Sequence, residues 1–273
     1  MNNNRIVLTI DMEDWFHSLD YNPSNWNNYQ RRIEYGTKKI LDLLTEKKSK
    51  ATFFVLGDVA INHPQLIKLI ANEGHEIGSH GFNHKFIYQL TKEEFRDDLR
   101  RSINYLSDLI GKSITTYRAP YFSITKKSFW AFDILREEGI KIDSSIFPII
   151  NYRYGIPDNP RLPYQLSNGL WEWPISTYRT FLGNIPFAGG VYFRFLPTSI
   201  FRLFISQLQK KQEPILFYIH PWELDKDQPK LKNITLFLKL RHYHGLTENL
   251  LKFSSLLCNL STISLSQGIN SIK

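Results

Sequence analysis

The sequence predicts an α/β fold in which about seven parallel strands alternate with helices and curl into a closed or nearly closed (β/α) barrel. Three observations carry that expectation. Short β-rich apolar runs alternate with helical patterns, and no repeat or low-complexity segment interrupts them. No glycine-rich phosphate loop follows any strand, which disfavours the runner-up, an open doubly wound sheet. With 273 residues the chain can build a sizeable core and needs no disulfide or metal merely to fold.

Residues 5–10 read as the first strand, and 37–48 as a helix with Ile40, Leu41, Leu43 and Leu44 facing inward. Residues 51–56 (ATFFVL) form the second strand, closed by Gly57. A short helix opened by Pro64 ends at Gly74, and 75–79 is the third strand. Thr91 and Glu94 make a capping box, and Phe95, Leu99, Ile103, Leu106 and Ile110 follow at helical spacing up to Gly111. Strands at 116–119 and 140–144 flank a helix at 125–138. Runs 170–175 and 214–219 read as buried strands. Ahead of them, the proline-punctuated stretch 146–169 is a long loop of the kind that usually serves function. The chain is expected to form one domain, with a barrel core over about 5–224 and a basic helical extension over about 225–265 packed upon it.

Composition excludes several classes. Lysine and arginine total 34 against 26 acids, a net +8, but they are scattered as pairs without a long run, so nucleic acid is not an expected partner. The single cysteine, Cys258, excludes an internal disulfide and a cysteine-based zinc site, and its setting beside Leu256 and Leu257 reads as core. The apolar run at residues 6–10 is too short for a signal-peptide core, and no stretch approaches the ~18 residues of a membrane span. The expected place of action is the cytoplasm, with peripheral contact at the inner face of the membrane as the alternative; the Phe/Arg-rich segment 192–204 reads as core and helix surface ahead of a membrane contact.

In a parallel barrel the chemistry lies at the C-terminal ends of the strands. Polar, titratable residues follow each predicted strand: Asp11, Glu13 and Asp14; then Ser79-His80-Gly81-Phe82-Asn83-His84; then Arg118-Ala119-Pro120-Tyr121; then Asp143-Ser144-Ser145; then Glu172 and Trp173; and lastly His220-Pro221-Trp222-Glu223. His80 and His84 have the spacing that puts two imidazoles on one face of a helical turn. Two imidazoles and a carboxylate suit Zn²⁺ or a similar ion that activates water. A second carboxylate would act as base, Arg118 would pair with it, and His220 would protonate a leaving amine. His17, His63, His75, His242 and His244 have no comparable context and read as structural or surface residues.

These pieces resemble the NodB-type polysaccharide deacetylases, carbohydrate esterase family four, over roughly residues 5–265. The variant TIDMEDWF, with EWPIS at 172–176, GGVYFR at 189–194 and HPWEL at 220–224, is similar to the subgroup linked to bacterial exopolysaccharide and exosortase gene clusters. The resemblance implies a distorted (β/α)7 barrel and removal of an N-acetyl, less often O-acetyl, group from a sugar. It implies Asp11 as base, Arg118 as its orienting partner, the Tyr121 backbone N–H at the oxyanion and His220 as acid. It implies one divalent ion, Zn²⁺ before Co²⁺, Ni²⁺ or Mn²⁺, on His80, His84 and a carboxylate. The commonest family pattern has two adjacent aspartates; here Met12 follows Asp11, so Glu13 or Asp14 supplies the carboxylate, with Glu13 favoured by strand alternation. Asp143-Ser144-Ser145 stands where the family usually has an acidic-Trp motif. Glu172, Trp173 and Trp222 are the expected substrate-binding residues. The expected partner is an N-acetylated oligo- or polysaccharide, or its lipid-linked precursor. The competing expectations are a deformylase or cyclic-amide hydrolase on the same barrel, and a non-catalytic glycan-binding protein.

Overall fold

The computed structural model describes residues 5–20, 22–151, 153–232 and 234–272. The eight-residue run RIVLTIDM forms β1 (Arg5–Met12), buried from its second residue onward because both faces of a parallel sheet are covered. Helix α1 (Ile33–Glu46) buries Ile40, Leu41 and Leu44 and leads to β2 (Thr52–Val55). Two short helices, α2 (Gly57–Asn62) and α3 (Pro64–Asn72), precede β3 (Glu76–Ser79). The predicted capping box opens α4 (Lys92–Ile110), and Gly111 closes it with left-handed backbone. Strands β4 (Thr116–Tyr117) and β5 (Ile142–Asp143) flank α5 (Ala131–Glu137). Both are shorter than the sequence predicts, because Pro120 and the bonded hydroxyls of Ser144 and Ser145 turn the chain out of the ladder.

The predicted loop 146–169 holds β6 (Tyr164–Gln165), antiparallel to β7 (Trp171–Glu172). A hairpin that the sequence reading did not anticipate, β8 (Thr177–Thr180) and β9 (Gly183–Pro186), follows. Then come α6 (Gly190–Phe195), α7 (Thr198–Lys210) and β10 (Leu216–Ile219). The extension supplies α8 (Leu236–Tyr243), α9 (Leu246–Asn259), β11 (Ser261–Ile263) and α10 (Leu265–Asn270).

Seven of these strands run parallel in the order β10-β1-β2-β3-β4-β5-β7, a curled sheet of the expected barrel type. Among the described residues the ladder does not close between β7 and β10. That gap is filled by loop: Ser176 Oγ accepts the Leu216 N–H at 2.9 Å, and the Ala188 carbonyl accepts the Tyr218 N–H at 3.0 Å. Glycine is required there, since a Cβ on Gly189 would lie 1.9 Å from the Tyr218 carbonyl oxygen. The extension returns to the barrel, because β11 pairs with residues 5–7 of β1 while β2 pairs with residues 9–12. Cys258 corrects the sequence reading. Leu257 points inward on α9, the next side chain is rotated outward by the helical turn, and the thiol is exposed.

Candidate active site

Strand β1 continues through Met12, so Asp11 and Glu13 project to the same side. The Glu13 N–H donates back to the Asp11 carbonyl at 2.8 Å and ends the strand in a tight turn. Glu13 Oε1 lies 3.1 Å from His80 Nε2 and 3.0 Å from His84 Nε2, all three residues buried. His80 Nδ1 lies 2.8 Å from the Arg118 carbonyl oxygen. An acceptor there requires Nδ1–H as donor and leaves the Nε2 lone pair facing Glu13.

The two histidines do not share a helical turn, which corrects the expectation from their spacing. Residues 80–84 form a loop in which Gly81 (φ +74°) and His84 (φ 52°) adopt left-handed backbone. Asp98, reaching from α4, steadies it by accepting the N–H groups of Phe82 at 2.7 Å and Asn83 at 3.0 Å.

Burial drives the His84 pKa down to about 4, so the ring is neutral near pH 7. Burial opposes the charge on Glu13, but the neighbouring His84 and His220 and the close contacts with the His80 and His84 imidazoles outweigh it and hold its pKa well below the usual carboxylate range. The ligand atoms of Glu13, His80 and His84 lie within 4.8 Å of one another, and His84 Nδ1 is buried without a hydrogen-bond partner. Two imidazole nitrogens and an ionised carboxylate fit one divalent ion.

Asp14 stands apart from this group. Its carboxylate accepts the N–H groups of Trp15 (2.9 Å), Arg32 (2.7 Å) and Ile33 (3.1 Å), capping the entry to α1. The turn after Met12 swings it outward, so it does not join the histidines as the second candidate ligand.

Arg118 is completely buried. Its guanidinium donates to Asp11 Oδ1, Thr9 Oγ1 and Ser144 Oγ, each at 2.7 Å, and to the Ser144 carbonyl at 2.9 Å, above the Phe54 ring. Asp11 is thereby fixed in orientation with its charge compensated. Tyr121 has φ 57°, lines the same cavity, stacks on Phe86 and donates its hydroxyl to the His17 carbonyl at 2.9 Å.

His220 faces this group across the cavity, with Nε2 3.9 Å from both Asp11 Oδ2 and Glu13 Oε1. Its Nδ1 meets Glu223 Oε2 at 3.0 Å, and the same oxygen accepts the His220 N–H. Glu223 Oε1 accepts from Arg194 Nε at 2.7 Å, and Arg194 in turn donates to the carbonyls of Arg241, His242 and His244. Burial works against both charges. Arg194 and His220 nevertheless hold Glu223 at about 2, and Glu13, Glu223 and Asp11 push His220 up to about 9. The imidazole therefore carries a proton near pH 7.

The sequence places Glu223 at a strand end and Arg194 in a motif without indicating a role for either, although the three-residue step from His220 to Glu223 is a capping-box spacing. His242 was read as structural. It stacks on Trp222 at 4.2 Å, and both residues line the cavity. Of the other two residues expected to bind substrate, neither reaches it. Trp173 is buried with its indole against Gly268 of α10, and Glu172 turns into the barrel to accept the Ile146 N–H at 3.1 Å.

Residues 4–141 match the family described as polysaccharide deacetylase, and residues 144–269 match a domain of unknown function, DUF3473. Among curated relatives, a peptidoglycan-N-acetylglucosamine deacetylase of Bacillus cereus is 34% identical over 120 residues, covering 40% of this chain and 44% of its own. Chitin deacetylase 1 of Cryptococcus neoformans is 31% identical over 119 residues, 44% of this chain and 23% of that one. The chain spans about half the length of the first curated relatives it matches, or less. A Mycobacterium smegmatis structure of polysaccharide deacetylase type superposes with a TM-score of 0.69 at 20% identity, covering 98% of this chain and 89% of that one. The Puue allantoinase superposes with a TM-score of 0.60 at 15% identity over 98% and 89% of the two chains. These two likenesses speak to the fold alone. The match across residues 4–141, half of the 273, holds every member of the Glu13-His80-His84 group together with Asp11 and Arg118, and it makes this chain a member of the polysaccharide deacetylase family.

Proposed function

We propose that this chain hydrolyses the N-acetyl, less often O-acetyl, group of a sugar in a cell-surface polysaccharide or its lipid-linked precursor, working at the cytoplasmic face of the membrane. The observation that carries the reading is the opposition, across one cavity, of Asp11 on Arg118 and His220 on Glu223, with Glu13, His80 and His84 beside them. Glu13, His80 and His84 would hold one divalent ion, Zn²⁺ by donor set, which supplies Lewis acidity to the acyl oxygen and to water. Asp11, held by Arg118, accepts the proton of the attacking water. The Tyr121 backbone N–H takes part of the developing charge on the acyl oxygen. His220 donates its proton from Nε2 to the leaving amine nitrogen, and acetate departs.

Metal analysis of the purified protein, followed by acetate release from N-acetylglucosamine oligomers, tests this reading. One equivalent of ion, lost in His84→Ala together with activity, is the expected result, because two remaining ligands hold a catalytic ion poorly. Full activity after exhaustive chelation, on cyclic amides rather than acetylated sugars, would replace the reading with that of a metal-free cyclic-amide hydrolase. N-formyl compounds in the same screen distinguish a deformylase.

A further inference from the structure

Beside the catalytic cavity lies a second hollow of about 410 Å³, within the ~300–1,000 Å³ of pockets that take small ligands. Arg153, Tyr154, Val191 and Arg241 line both, so the two lie side by side. Past these four residues the lining is mostly apolar, with Asn151 and the Tyr192 hydroxyl its polar members. Phe237, Leu240 and Phe195 stand 69%, 55% and 49% exposed, more than a water-facing surface needs to carry in one place. Leu236 (72%) continues the apolar exposure along α8.

A bare apolar hollow says little about its occupant, but here the order of surfaces does. The cavity holding Asp11 and His220 suits a polar sugar; next come two half-buried arginines from separate segments, the 146–169 loop and α8; beyond them lies the apolar groove. Sugar, anion, hydrocarbon is the covalent order of a glycosyl phospholipid. Guanidinium groups bind phosphate oxygens with matched geometry, and an occupant entering the groove from the catalytic cavity must be continuous with the substrate.

We propose that the substrate is an acetylated glycan still attached to a lipid through a phosphate or diphosphate, its phosphate held by Arg153 and Arg241 and its hydrocarbon laid in the Phe195–Phe237–Leu240 groove. The proposal rests on the deacetylase reading and narrows it from two substrate classes to one.

Calorimetric titration of the full chain with decyl phosphate tests the groove without requiring turnover. Saturable binding is expected, weakened about tenfold or more in both Leu240→Glu and Arg241→Gln, since burying one leucine is worth at least that factor. Leu240 is 55% exposed, so L240E should still fold, which its thermal melt checks. Two results would overturn the proposal: no saturable binding of decyl phosphate, or binding that both variants retain. Sedimentation with anionic phospholipid vesicles, lost in L240E while decyl phosphate fails to bind, would make the face a membrane contact instead and equally overturn it. Intact decyl phosphate binding with no acetate released from an unconjugated N-acetylglucosamine tetramer would support the groove while removing the deacetylase reading, so the two failures are distinguishable.

Discussion

Residues 5–143 hold Asp11, Glu13, His80, His84 and Arg118 at or just beyond the ends of strands in an unbroken parallel ladder, whereas residues 144–272 deliver His220 from β10 and steady it with groups borrowed from helices. In the first region neighbouring strands set the spacing of the functional groups, and each motif is local in sequence. In the second, Glu223 is fixed by Arg194, 29 residues away, and Arg194 by carbonyls 47 to 50 residues farther along the chain. A backbone ladder positions groups through bonds that any residue makes. A side-chain network positions them through particular residues, and substitution should expose the difference.

The largest effect is expected in the first region. Asp11→Asn should retain the bound ion yet lower kcat by about 10²–10⁴-fold, the usual worth of a general base. Loss of the ion in that variant, measured by elemental analysis, would make Asp11 a ligand and erase the division of labour between it and Glu13. Arg118→Met should destabilise the fold by about 3–5 kcal/mol in urea titration, because it strands a buried carboxylate. A loss below about 1 kcal/mol would mean that Asp11 is compensated elsewhere.

In the second region Glu223→Gln should lower kcat by about 10–100-fold, the usual cost of losing an orienting partner, while KM and ion content hold. Unchanged kcat would show that β10 alone positions His220 and would dissolve the contrast between the two regions.

A pH effect is expected where the regions meet. Burial pushes Asp143 up to about 6, and burial together with Asp143 raises Glu172 well above the usual carboxylate range. The folded state therefore binds more protons than the unfolded chain once pH exceeds about 4, and stability falls as pH rises through about 6. Thermal melts should lose the equivalent of about 1–3 kcal/mol between pH 4 and 8 from this pair, and Glu172→Gln should flatten the slope. A slope identical in the variant would place the effect elsewhere.

The smallest effect is local. Thr91→Ala removes the hydroxyl that accepts the Glu94 N–H at the start of α4 and should cost about 1 kcal/mol without touching kcat. A change in kcat would reveal that α4 transmits more than Asp98 to the histidine loop.

Legibility follows the same divide. The alternation of apolar runs and helical patterns, the Thr91 capping box and the motif at each strand end were readable, because each depends on residues within one turn or one strand of one another. The 80–84 loop was legible as a pair of histidines but not as a loop, since its shape depends on Asp98. Cys258 misled because its apolar neighbours Leu256 and Leu257 mark an inward face that ends one residue earlier.

The sequence by itself determined the parallel α/β architecture and the residue types at the rim, because periodicity and strand-end composition are local properties. Tertiary structure alone decided that Glu13 faces the histidines while Asp14 caps α1, that Trp173 lies against α10 rather than the cavity, and that His220 leans on Glu223 and Arg194. Each of these turns on where a side chain ends after the backbone has bent, and on partners as far apart in sequence as Trp173 and Gly268. No local pattern carries that information, because a hydrogen bond between distant segments exists only once the fold has brought them together.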